Sequence, residues 1–170
     1  MTPGAADLLV DGFGRVREVV DAATAGLTLD QLTWRADAEA NTVAWLVWHL
    51  TRIEDDHLAA AFGTDQVWTS VGWAERFDLP FADTATGYGQ SSADVAAVRV
   101  DSTVLTGYHH AVHEQAVALV RGVDADDLGR VVDDSWDPPV TLGVRLVSVL
   151  SDALQHAGQA AFVRGLLDRR

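Results

Sequence analysis

The run LVSVLSDALQHAGQAAFV, Leu146 to Val163, decides the fold, because its only formally charged residue is Asp152. A helix apolar nearly all round is expected to be buried. His156 follows Asp152 at i+4, so the two side chains project from one face. Ser148 and Gln159 extend that face into a narrow polar stripe. A lone carboxylate in such a helix faces a desolvation cost of several kcal/mol unless a cation or a proton offsets it.

Working towards the N-terminus, three more helices are predicted. Thr2 and Pro3 read as cap and first position of helix 1, whose stripe is Leu9, Phe13, Val16, Val20 and Ala23, ending at Gly26. Asn41 and Thr42 precede helix 2, which runs to about Phe62 before Gly63. Ser91 and Asp94 form a capping-box pattern opening a long helix 3, with Val95, Val98, Leu105, Tyr108, Val112, Ala116 and Leu119 on one face and Gly122 at its end. Pro138 and Pro139 are expected to launch helix 4, which continues to about Leu167. With no alternating strand and no internal repeat, the expectation is an all-α four-helix bundle forming one domain over residues 1–170. Residues 63–90, rich in Gly and aromatics, make a long connection between helices 2 and 3 that folds over the bundle.

Helix 2 carries a matching oddity. From Asn41 to Thr51 its only titratable side chain is His49, with Trp45, Ile53 and Asp56 on the same face. A central His on one helix can meet the Asp152/His156 pair on another. Two imidazoles and one carboxylate leave an open coordination position, the pattern of catalytic zinc. The alternative reading is a buried Asp–His pair without metal. His109, His110, His113 and Glu114 crowd helix 3, but its apolar stripe assigns these His a solvated or supporting role. His57, at the acidic end of helix 2, is expected on the surface.

Composition removes other classes. The 25 acidic residues outnumber the 12 basic ones for a net charge of -13, which disfavours nucleic acid and anionic membrane partners. With no Cys there can be neither a disulfide nor a thiolate ligand, so any sulfur nucleophile must come from a cosubstrate. No leader or membrane-spanning pattern is seen, and a cytoplasmic location is expected.

The stretch Asn41 to Leu50, with Arg52 and Asp55-Asp56-His57, resembles the second helix of the DinB-like superfamily. Asp152-Ala153-Leu154-Gln155-His156-Ala157-Gly158-Gln159 is similar to the superfamily's last-helix motif. That superfamily includes mycothiol-dependent maleylpyruvate isomerase and the bacillithiol and mycothiol S-transferases. The resemblance implies a divalent metal, zinc first and nickel second, on His49, Asp152 and His156. It also implies a low-molecular-weight thiol as nucleophile toward a small electrophile, in detoxification or stress response. Departures are Asp152 where relatives carry Glu or His, Ala157 where Arg is frequent, and no counterpart of the isomerase's C-terminal domain. The Ala, Val, Asp, Gly and Arg usage suggests an actinobacterial chain and hence mycothiol. Trp45, Trp68, Trp73 and Gln159 are the candidate substrate contacts. A metal-dependent hydrolase and a non-catalytic metal-binding bundle are the alternatives, with a non-haem iron site third; a homodimer is left open.

Overall fold

The computed structural model describes residues 4–170; the reading of Thr2 and Pro3 lies outside the described residues. Four long helices carry the architecture: α1 (Ala5–Thr24), α3 (Val43–Phe62), α7 (Ser102–Val120) and α8 (Leu142–Leu167). Short helices lie between them, α2 (Leu29–Leu32), α4 (Val67–Ser70), α5 (Trp73–Phe77) and α6 (Ser92–Ala97). Each of α1 and α3 packs against both α7 and α8, which places α1 and α3 on the bundle's diagonal. The contacts Thr51–His109 and Gln115–Thr64 run α3 and α7 in the same direction. His110–Asp21 and His49–His156 set that pair antiparallel to α1 and α8. The architecture is the expected all-α bundle.

Local chemistry explains the boundaries. Thr42 caps α3 by accepting the Trp45 N–H at 3.0 Å, and Gly63 closes it with a positive φ of 67°. Two boundaries differ from expectation. The Ser91/Asp94 capping box is present, but it opens only α6. Val98 and Val100 are both buried while Arg99 is exposed, an alternation that holds the chain extended. Asp101 then starts α7 by accepting the Thr103 and Val104 N–H groups. Likewise Pro138 and Pro139 do not launch α8. They lie in the loop of a small antiparallel hairpin, β1 (Val131–Asp133) with β2 (Val140–Thr141), and Thr141 is the cap.

The core runs through Phe13, Val16, Leu46, Trp48, Leu105, Tyr108, Leu146 and Val149, all essentially inaccessible. The connection after α3 contributes to it: Trp68 packs edge-on to Trp48 and Phe77 and against Tyr108. Helix α8 is not enclosed all round. Val144, Val147, Leu154 and Phe162 are exposed, so its apolar residues exceed what the bundle covers. No helix among the described residues is long and apolar enough to cross a membrane.

Candidate metal centre

Antiparallel packing of α3 on α8 sets His49 against Asp152 and His156. One ligating atom from each lies within 4.8 Å of the other two, and no other three-residue group of this kind occurs among the described residues. The imidazoles of His49 and His156 meet edge to face with centroids 4.6 Å apart. Trp45, one turn before His49, stacks on that ring at 4.7 Å and presents its edge to His156.

The outer nitrogens of both rings are occupied. His49 Nδ1 meets the Thr86 carbonyl, which can only accept, so the proton sits on Nδ1 and Nε2 carries the free lone pair. His156 Nδ1 donates to Gln159 Oε1 at 3.1 Å. This pattern fixes ring orientation and tautomer in metal-ligating histidines. The loop that brings Thr86 depends on Gly87. Its φ is +100°, and a Cβ there would sit 2.5 Å from His49 Nδ1. Trp45 Nε1 ties the same loop by donating to Gln90 Oε1 at 2.7 Å.

Asp152 completes the set. Its side chain is 32% exposed, so the carboxyl is half-buried rather than sealed as the sequence suggested. Oδ2 is nevertheless buried with no partner among the described residues, while Oδ1 faces His156 Nε2 at 3.6 Å. A carboxylate with one oxygen unpartnered and its ligating oxygen within 4.8 Å of two imidazole nitrogens fits a divalent first-row cation bound by nitrogen and oxygen. Burial lowers the His49 pKa below the ordinary range, favouring the neutral form a metal needs. The neighbouring Asp152 raises that of His156, against burial, so a metal would displace a proton there.

A family model described as mycothiol S-transferase matches residues 8–169. The chain belongs to the mycothiol S-transferase family. The solved structure of a conserved protein from Enterococcus faecalis shares 28% identity with this mycothiol S-transferase family member, covering 99% of this chain and 100% of that one at a TM-score of 0.91. None of the curated proteins matches the chain.

The remaining sequence candidates fall in different places. Trp45 and Gln159 adjoin the centre, whereas Trp68 lies in the core and Trp73 packs on Tyr108 with Arg76 over its ring. Of the helix-3 histidines, His109 is wholly buried rather than solvated. Thr51 spends its proton on the Val47 carbonyl, so its oxygen accepts from His109 Nδ1. His110 instead meets Asp21 at 2.6 Å. The acidic end of α3 is not exposed either: Glu54 and Asp55 are buried, and His57 is half-buried. Asp55 accepts the Val67 and Trp68 N–H groups and the Tyr108 hydroxyl. Arg52 donates to the Ala85 carbonyl, the Gln66 side chain and Tyr108, which anchors the loop carrying Thr86 and Gly87. Sequence reasoning missed Thr86, Gly87 and Gln90 as supports of the centre. The only local signal was Gly87 and Gly89 in an aromatic stretch.

Proposed function

We propose that this chain is a metal-dependent S-transferase that uses mycothiol as nucleophile toward a small electrophile, with zinc or nickel held by His49, Asp152 and His156. The observation carrying this reading is the convergence of one Asp152 oxygen and two imidazole nitrogens within 4.8 Å, on rings whose outer nitrogens are already satisfied. A divalent cation bound there supplies a Lewis acid that lowers the pKa of a ligated thiol.

The chain's own residues do the rest. Thr86 and Gln159 hold the two rings so that their free nitrogens converge. Trp45 covers one side of His49 and keeps water from it. With no Cys in the chain, the attacking sulfur belongs to the cosubstrate. It forms a bond to the electrophile's carbon as the leaving group departs with the bonding pair or, in an addition, as the displaced electron pair takes up a proton.

Cobalt-substituted protein titrated with mycothiol tests this directly. An intense thiolate–cobalt charge-transfer band should appear at saturation. A spectrum unchanged at millimolar thiol would exclude ligation of the thiol and leave the family's reaction without its nucleophile here.

A further inference from the structure

Along the same α3/α8 groove, on the side of the hairpin, lies a pocket of about 380 Å3 lined by His57, Val132, Asp133, Trp136 and Arg145. Arg145 precedes Asp152 by seven residues, about 10 Å along a helix axis and nearly the same face. His57 follows His49 by eight residues, about 12 Å on the antiparallel partner. Asp152 is close enough to act on the His57 ring. The pocket is therefore a neighbour of the candidate metal centre along the two helices.

Its chemistry is unusual for an acidic protein. Arg145 is bound to Asp133 at 2.9 Å, so guanidinium and carboxylate neutralise each other. Burial and the nearby Arg145 lower the His57 pKa, against the opposing pull of Asp56 and Asp152. His57 in turn stands 3.6 Å from an Asp56 oxygen, so the lining sets donors and acceptors side by side rather than clustering groups of one sign. It suits vicinal hydroxyls, each of which donates and accepts. Beside these groups stands Trp136, with 66% of its surface exposed. An indole face left in water is a platform for a ring with an apolar face and a polar edge. A second pocket, lined by Asp37, Asn41 and Gln159 with Leu46, Phe162 and Leu166, has no guanidinium–carboxylate pair.

We propose that this pocket holds the sugar part of the thiol, a neutral polyhydroxylated ring stacked on Trp136 with its hydroxyls on Asp133, Arg145 and His57. The assignment rests on the thiol-transferase reading for the identity of the ligand, since mycothiol is a cysteine-based thiol with an amide-linked sugar. Its test does not need turnover or thiolate ligation. S-methyl mycothiol, a thioether, and S-methyl N-acetylcysteine, which lacks the sugar, are titrated calorimetrically into the zinc-loaded chain.

Wild type should bind the sugar-bearing probe at least about tenfold more tightly than the sugar-free one. Trp136→Ala should erase that ratio, and Trp136→Phe should restore most of it by keeping an aromatic face. Trp136 is exposed in a loop, and circular dichroism checks that the fold survives. Equal affinity of wild type for the two probes, no binding of the sugar-bearing probe, or an unchanged ratio in Trp136→Ala overturns the proposal. A Trp136-dependent ratio without any thiol transfer would keep the pocket and refute the reaction. Mycothiol transfer with a Trp136-independent ratio would do the reverse.

Discussion

Around Asp55 every buried donor and acceptor of the Arg52–Asp55–Tyr108 set has a partner within the chain, whereas around Asp152, two turns away from the pocket at Arg145, an oxygen has none among the described residues. Both regions place charge beside α3, and both depend on the loop at residues 82–90. The first consumes its polarity internally: the Tyr108 hydroxyl donates to Asp55 at 2.9 Å and accepts from Arg52 at 3.3 Å. The second has its outer hydrogen bonds made and its inner ones missing. A finished network rigidifies a fold, and a buried group left unpartnered calls for a proton, an ion or a ligand to satisfy it. Glu54 is a third case. It is wholly buried with one oxygen unpartnered, and burial with the adjacent Asp55 pushes its pKa up to about 8, so a proton neutralises it.

The largest effect should come from breaking the finished network. Asp55→Ala removes three accepted hydrogen bonds and leaves Arg52 buried without its carboxylate. That is expected to cost about 3–5 kcal/mol, a fall in Tm of about 10 °C for a chain of this size. Because Arg52 also holds the Ala85 carbonyl, zinc affinity of the folded fraction should weaken as well. Thermal unfolding and zinc titration measure the two separately. A loss under about 1 kcal/mol would mean the network is not a structural element.

Next comes the proton on Glu54. Its folded-state pKa lies above the unfolded value of 4.5, so the unfolded chain ionises first as pH rises. Stability from this group is full below about pH 4.5, is lost as pH climbs to about 8, and then levels off. His109 works on the acid side. Buried and lowered to about 3, it stays neutral when folded, and its contribution is lost as pH falls from 6.5. Glu54→Gln should therefore gain on wild type by roughly 3 kcal/mol between pH 5 and pH 8. Urea unfolding at the two pH values decides this; a pH-independent difference would mean that Glu54 is ionised in the fold.

How much of this was legible in the sequence follows from range. His49, Asp152 and His156 stood out because each interrupts a long uncharged helical stretch, and i, i+4 spacing alone aligns the pair on α8. The caps at Thr42 and Gly63 are local and read correctly. Asp101 competed with the stronger-looking Ser91, and the break at Val98–Val100 depends on burial of both valines against the rest of the bundle. The acidic end of α3 at Glu54, Asp55 and His57 was expected at the surface, because the burial of Glu54 and Asp55 is made by residues remote in the chain. Thr86 acts through its carbonyl, which no side-chain pattern reveals. Asp152 remained exposed by a third because α8 has a free face that its apolar composition concealed.

The smallest effect on folding, and the sharpest on binding, should come from Asp152→Asn. If the open side of the site is a metal site, the amide keeps the shape and loses the negative charge. Zinc affinity should fall roughly ten- to a hundredfold. The metal-free fold should change by less than about 1 kcal/mol, because the carboxylate makes no close hydrogen bond there and one oxygen is stranded. Asp152→Glu should keep the metal, since a longer carboxylate still reaches the two imidazoles. The opposing account, a structural Asp152–His156 pair, requires that Asn destabilise the fold equally with and without chelator. It also requires that chelator leave wild-type melting unchanged. Melting curves of the three proteins, each loaded and stripped, separate the accounts: a loss in Asn that is indifferent to metal would place Asp152 with Asp55 among the finished contacts and end the distinction between the two regions.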